Sequence, residues 1–198
     1  MLDIAEWCKN NVKKSETFLD VGANIGDVSR EVSAKLKICV EGNKDIITDG
    51  GCIVVNKLVL DKPGMRMFFH VNYAPSQSTI YGGRFKNGEG EWKEVEVTTI
   101  DDILDTYDIM GDIVMKMDVE LSEPLVFVGM KRHMLQFRKI IMEFMPNIMA
   151  HDTESDPKEF LKEIRKNFTI SKLDGTTPTK QDFENPKGSK IDLILTRI

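Results

Sequence analysis

Apolar positions along the chain change period from segment to segment, and the changes outline its elements. Ile4, Trp7, Cys8 and Val12 recur at helical spacing, which predicts an amphipathic helix from about Leu2 to Lys13 covering one face of a sheet. TFLDV, Thr17 to Val21, is a short apolar run that ends beside an acid and is followed at once by glycine, as in a buried strand leaving a sheet. Val28, Val32 and Leu36 then mark a helix. KICVE ends a second strand at Glu41, and CIVVNKLV supplies a third beginning near Cys52. The β-α-β-α-β order implies parallel strands with right-handed crossovers.

The middle of the chain reads differently. DKPG, Asp61 to Gly64, is a turn signal followed by MRMFFHV, and EVEVTTI, Glu94 to Ile100, alternates cleanly, so the two runs are expected to pair antiparallel. Between them Asn72 to Trp92 is rich in Gly, Ser, Asn and aromatic residues and reads as a loop. Asp101 to Tyr107 suits a short helix, and DIVMKMDVE a fourth core strand. Ser122, Pro124 and Gly129 cap, open and end the next helix. KIIMEF, Lys139 to Phe144, is a fifth core strand, and Asp156-Pro157-Lys158-Glu159 opens a helix with cap, proline and capping-box acid in order. FTISKL and IDLILTR, joined by a loop, read as a closing antiparallel pair. The expectation is one α/β, Rossmann-like domain over 1–198: a seven-stranded mixed sheet with helices on both faces, an N-terminal helix in 1–15 and an insertion at 72–92.

Composition narrows the partners. With 198 residues, 41% hydrophobic and 30% charged, the chain can bury one sizeable core. A net charge of -5 disfavours a grip on nucleic-acid phosphates. No apolar run approaches the roughly 18 residues of a membrane span, and MLDIAEWCKN lacks the regions of a signal peptide, so a cytoplasmic location is expected. Cys8, Cys39 and Cys52 form no C-x-x-C pair and read as buried free thiols. His70, His133 and His151 show no metal-ligand spacing, and no metal is expected.

The sharpest chemical signal is FLDVGANIG. A strand ends at Asp20 and Val21, a tight turn through Gly22, Ala23, Asn24 and Gly26 follows, and a helix begins. Such a turn at the carboxyl end of the first strand lies where open α/β sheets bind ligands. Glu41 lies nineteen positions beyond Gly22, close to the roughly 20-residue spacing of a ribose-binding acid. The loop is G-x-N-x-G rather than the G-x-G-x-x-G that receives a pyrophosphate, which favours a methionine-bearing nucleoside without phosphates over a dinucleotide. Asp20 is placed to meet the α-ammonium of that nucleoside. Gly42 and Asn56 complete the expected cofactor-binding set.

These residues together resemble the FkbM-type methyltransferases. FLDVGANIG is similar to that family's first motif, VTTIDDIL to its Thr-Leu-Asp segment, DIVMKMDVELSEPLVFVG to its Lys-x-Asp-x-Glu-Gly-x-Glu block, and IIMEF to its later Glu-bearing strand. The matches run in order from Thr17 to Phe144, with Leu121 where the family has Gly and Gly42 where Pro commonly follows the ribose acid. The resemblance implies a class I methyltransferase fold, S-adenosylmethionine as cofactor, and O-methylation of a hydroxyl on a small molecule or glycan. Asp118, Glu120 and Glu143, at neighbouring strand ends, are the candidate catalytic acids, and Asp118 also belongs to the cofactor set. Lys116, inside an apolar strand, is a candidate partner for one of them. Glu123 reads as a helix-capping acid. Leu121 is expected to narrow the acceptor cleft. Tyr73, Ser76, Ser78, Tyr81, Arg84 and Trp92 are loop candidates for acceptor contact, and Met65, Met67, Met115 and Met117 read as packing. Two other readings stay open: an NAD(P)-dependent oxidoreductase on the same sheet, and a non-catalytic cofactor-binding protein. The Asn-Pro-Pro-Tyr-type motif of base methyltransferases is absent. Oligomeric state is open, a homodimer included.

Overall fold

Successive residues of a strand point to opposite faces, and in the central strands both sets are apolar. In the computed structural model, which describes residues 3–46, 49–71, 78–82, 89–184 and 190–198, this doubled pattern is used twice. Phe18, Val114, Ile141 and Ile194 face one layer, where Trp7, Cys8 and Val12 of α1 (Ile4–Asn11) and its C-cap cover them. Leu19, Met115, Ile140, Leu193 and Leu195 face the other, against α3 (Ile100–Thr106), α4 (Glu123–Val128) and α6 (Pro157–Ile164). Helices therefore lie on both faces, as the pattern implies.

The sheet has seven strands: β1 (Thr17–Val21), β2 (Leu36–Val40), β3 (Ile53–Val55), β7 (Ile113–Met117), β8 (Phe137–Phe144), β9 (Phe168–Lys172) and β10 (Ile191–Arg197). Their order is β3-β2-β1-β7-β8-β10-β9. The first five pair parallel, and β10 runs antiparallel to both β8 and β9. The closing pair thus does not simply extend the sheet, because β10 inserts between β8 and β9. Burial gives the reason: β10 has a wholly apolar centre, Leu193 to Leu195, suited to an interior position, whereas only Phe168 of β9 is buried.

Three boundaries differ from the sequence reading. Leu36 opens β2 instead of closing a helix, since α2 (Asp27–Glu31) ends at Val32, whose extended backbone starts the connection. The run CIVVNKLV splits at Asn56, and its second half, β4 (Leu58–Val59), joins another sheet. There β4 pairs with β6 (Gly90–Thr98), which pairs antiparallel with β5 (Gly64–Val71) as expected. Trp92 consequently sits on a strand, its ring 5.2 Å from that of Phe69, and not in a loop. Val59 carries this small sheet into the main core. A further helix, α5 (Pro146–Asp152), follows β8, and α7 (Lys180–Glu184) lies between β9 and β10. Pro124 and Gly129 open and end α4 as expected, but the Ser122 hydroxyl makes no cap hydrogen bond, whereas Asp156 does cap α6 through the Lys158 N–H. No helix among the described residues is long and apolar enough to cross a membrane.

Cys39 and Cys52 are joined by a disulfide, which corrects the expectation of free thiols there. Pairing depends on strand register: Ile38 lies opposite Ile53 on neighbouring parallel strands, bringing Cys39 and Cys52 to a Cα separation of 5.9 Å. Cys8 alone remains a buried free thiol, and burial pushes its pKa up to about 12. Two buried acids sit in opposite environments. Glu16 accepts two hydrogen bonds from the Arg138 guanidinium across the sheet edge. Glu123, at the start of α4, is wholly enclosed, and burial, reinforced by Asp118 and Glu120, pushes its carboxyl up to about 8.

Two stability measurements follow from these groups. Cutting the bridge with Cys52→Ser removes a cross-link over 13 residues and is expected to cost about 3 kcal/mol in the oxidised protein. Thiol-reduced wild type should melt with the variant; equal melting of oxidised and reduced wild type contradicts the pairing. For Glu123 the folded state keeps a proton that the unfolded chain releases above its ordinary value of 4.5, so its contribution to stability is lost as pH rises toward about 8. Glu123→Gln should abolish that share of the slope, leaving the variant more stable than wild type at pH 8 but not at pH 5. Parallel urea-unfolding profiles across that range contradict a buried neutral Glu123.

Candidate functional site

The site forms where β1, β2 and β7 end side by side. After Val21 the chain turns at Gly22, with φ of +73°, and a Cβ there would lie 1.8 Å from the Asp118 carbonyl oxygen, so only glycine fits. The Gly22 and Ala23 N–H groups both donate to the Val40 carbonyl, at 2.9 and 3.0 Å, and the Asn24 N–H donates to Glu41 Oε2 at 2.8 Å. The first amides of the turn are thus bound to the end of β2 and are not offered to a ligand. Asn24 takes a left-handed φ of +49°, and Gly26, at +81°, caps α2 where a Cβ would meet the Gly50 nitrogen at 2.7 Å.

A cavity of about 250 Å³ opens over these turns. Its walls include Gly22, Ala23 and Asn24, then Glu41 and Gly42, then Lys57, Leu58 and Val59, with Phe68 of β5 and Ser78, Thr79 and Ile80 across from Lys116, Asp118 and Glu120. The Glu41 carboxylate faces this space with one oxygen on the Asn24 N–H and the other on the Asn43 N–H, each at 2.8 Å. Burial raises its pKa, opposed by those two N–H groups and by Lys116.

Asp20 is placed differently from the expectation. Its carboxylate is fully buried, accepts the Ser29 hydroxyl at 2.7 Å, lies 3.4 Å from Lys116 Nζ, and is not part of the cavity wall. Asn56 is also outside, exposed at the break between β3 and β4, and its neighbours Lys57 and Leu58 line the cavity instead. Lys116 pairs with two acids, Asp20 and Asp118, the latter at 3.6 Å, and donates to the Gly22 carbonyl at 2.6 Å. Burial works against its charge, but Asp20 and Asp118 outweigh it and raise the pKa.

Of the three candidate catalytic acids, Asp118 and Glu120 reach the cavity and Glu143 does not. Register places Glu143 next to Asp118, since Met117 pairs with Met142, but its side chain is buried and bound to Lys190 Nζ at 2.6 Å. Burial raises its pKa; Lys190 opposes this and Asp118 adds to it. Glu120 and Leu121 both adopt left-handed backbone, φ of +49° and +77°. Leu121 is wholly buried among core residues and so does not narrow the cleft as its sequence position suggested. The backbone keeps the shape a glycine would give, and core burial holds the leucine in it.

Part of the expected loop does cover the site. Thr79 bridges to Phe69 of β5 and its hydroxyl donates to the Glu120 carbonyl at 2.8 Å, holding Ser78 to Ile80 against the acidic turn. Tyr81 is half-buried beside it, its phenol pKa raised first by burial and then by Glu123. Tyr73, Ser76 and Arg84 lie outside the described residues. Sequence reasoning assigned nothing to Thr79, Phe68 or Lys57; only Lys116 carried a signal, as a lysine flanked by methionines in an otherwise apolar strand.

No family model and no curated protein matches the chain. Among solved structures it is similar to the methyltransferase FkbM from Methylobacillus flagellatus KT, at 16% identity and a TM-score of 0.52, over 92% of this chain and 44% of that one. It is also similar to a dimethyladenosine transferase from Plasmodium falciparum, at 12% identity and a TM-score of 0.49, over 98% of this chain and 60% of that one. The chain thus spans less than half the length of the first and three-fifths of the second. What the likeness to the FkbM structure establishes is the fold: a Rossmann-like α/β sheet of seven strands with an antiparallel strand inserted near its far edge.

Proposed function

We propose that this chain is an S-adenosylmethionine-dependent methyltransferase that methylates a hydroxyl of a small molecule or glycan. The observation that carries the cofactor part is the Glu41 carboxylate facing a cavity whose glycine turn has spent its first amides on β2 and Glu41. A pyrophosphate needs those amides; a ribose needs the carboxylate. The residues therefore suit a nucleoside without phosphates better than NAD. In this reading Glu41 accepts from the ribose hydroxyls, the Gly22 turn and Asp118 border the methionine end, and Leu58 and Val59 supply apolar wall.

The cofactor supplies a methyl group on a sulfonium, already activated for displacement. What remains for the protein is to hold the acceptor in line and take its proton as the new carbon–oxygen bond forms and the carbon–sulfur bond breaks. Glu120 is our candidate for that base, because it lines the cavity on a backbone turn fixed by Thr79. Glu143, occupied by Lys190 outside the cavity, supports the site from behind. The cavity wall carries Asp27, Glu41, Asp118 and Glu120 against Lys57 and Lys116, an excess of acid that favours a neutral acceptor over a polyanion such as nucleic acid. A cytoplasmic location belongs to this reading, and there the Cys39–Cys52 bridge meets a reducing pool.

Calorimetry with S-adenosylhomocysteine and with NAD tests the cofactor: the first is expected to bind and the second not, and the reverse result sinks the proposal. Glu41→Ala should weaken S-adenosylhomocysteine binding by about ten- to a hundred-fold, the worth of charge-assisted hydrogen bonds, in a folded protein. Because the Glu41 pKa is raised by burial, wild-type affinity should fall as pH drops through a point above the usual glutamate range, and the Ala variant should lose that dependence. Glu120→Gln should lower turnover by roughly 10² to 10⁴ on any hydroxyl acceptor while leaving S-adenosylhomocysteine affinity nearly intact. Methylation of RNA in preference to hydroxylated small molecules or glycans would overturn the acceptor assignment alone.

A further inference from the structure

Asp20 and Lys116 are direct cross-strand partners in adjacent parallel strands, so their side chains leave the sheet on the same face. The pair is deeply buried, with side-chain exposures of 0% for Asp20 and 7% for Lys116. Asp20 is further committed to the Ser29 hydroxyl. Its other oxygen, Oδ1, has no hydrogen-bond partner among the described residues and is met only by the Lys116 ammonium at 3.4 Å, an ion pair inside the protein that a ligand in the cavity does not reach. That ammonium also donates to the Gly22 carbonyl at 2.6 Å and stands 3.6 Å from Asp118 Oδ2. One buried cation thus ties together two separate strand ends.

We propose that Lys116 is a positioning residue: by drawing Asp20 inward it holds the Gly22 carbonyl and the Asp118 carboxylate as the paired acceptors for the amino-acid end of the cofactor. The inference rests on the cofactor reading above. Gly22 and Asp118 both line the cavity, and one ammonium lies 2.6 Å from the Gly22 carbonyl and 3.6 Å from Asp118 Oδ2, so the two acceptors flank a single point at the cavity wall. A carbonyl has two lone pairs and a carboxylate about four, so each can bind Lys116 and still accept from a ligand. The Asp118 side chain is 37% exposed, against 0% for Asp20, so it alone of the two has a face turned outward. An α-ammonium, with three N–H donors and no acceptor, is the complementary group.

A purely structural Lys116 predicts something different, and a truncated ligand separates the two. S-Adenosylhomocysteine and 5′-methylthioadenosine share the adenosine and the thioether, but the second lacks the amino-acid group. Calorimetry on wild type should show the longer ligand binding tighter. In Lys116→Met the affinity for S-adenosylhomocysteine should fall about ten-fold or more, as expected for lost charge-assisted contacts, while that for 5′-methylthioadenosine changes by less than about three-fold. Removing Lys116 leaves Asp20 buried without its counter-charge, so the double variant Asp20→Asn, Lys116→Met guards against misfolding. Asp118→Asn should show the same selective loss from the other side. Equal losses for both ligands in folded variants, or unchanged affinity for S-adenosylhomocysteine, overturn the positioning role and leave the cofactor reading standing. Failure of wild type to bind either ligand overturns both.

Discussion

Two turns from different parts of the chain touch backbone to backbone at Gly22 and Asp118, and the rest of the site is arranged around that contact. Nothing larger than a hydrogen fits at position 22, because a Cβ would fall 1.8 Å from the Asp118 carbonyl oxygen. The Asp118 N–H in turn donates to the Val21 carbonyl at 3.0 Å, so the β1–β7 ladder continues up to the point where the strands part. Close approach here lets Lys116, two residue pairs below, reach both turns with a single ammonium. It also places Glu41, from the end of β2 on the other side of β1, opposite Asp118 across one cavity. A wider seam would leave the buried pair of Asp20 and Lys116 open to water and separate the two walls.

Strain and buried charge are concentrated on the same few residues. Glu120 and Leu121 keep left-handed backbone without being glycine, and Glu123 carries a carboxyl that burial holds near neutral. Ordinary packing does not select for such features, since each costs stability on its own. They are held by the core around Leu121 and by the Thr79 hydroxyl on the Glu120 carbonyl. The turn from Asp118 to Glu123 therefore has one shape, which suits a surface that must present carboxylates at fixed positions.

What the amino-acid sequence disclosed was what neighbouring residues decide among themselves. The glycine turn, the acid at the end of β2, the antiparallel pairing of β5 with β6 and the cap of α6 are each written within a few consecutive residues or one strand spacing. What escaped it depends on register between distant segments. The Cys39–Cys52 pairing needs β2 and β3 side by side in one offset. The inward turn of Asp20 follows from its being opposite Lys116, and the separation of Glu143 from the cavity from Lys190 beyond the sheet edge. Asn56 was misplaced because a break in a strand reverses which residue faces inward, and alternation alone cannot announce a break.

The position of β10 bears on how the chain comes to be folded as it is made. β8 presents Ile140, Ile141 and Met142 and an open ladder of backbone groups, and its neighbour on that side is not the next strand synthesised but one almost fifty residues later. While the ribosome is still adding residues up to Arg197, β9 has no seat in the sheet and the edge of β8 stays available to other chains. The nascent protein thus carries an adhesive edge from the time β8 emerges until β10 follows it, and a stall or truncation in that interval leaves an aggregation-prone five-stranded parallel sheet rather than a slightly smaller domain.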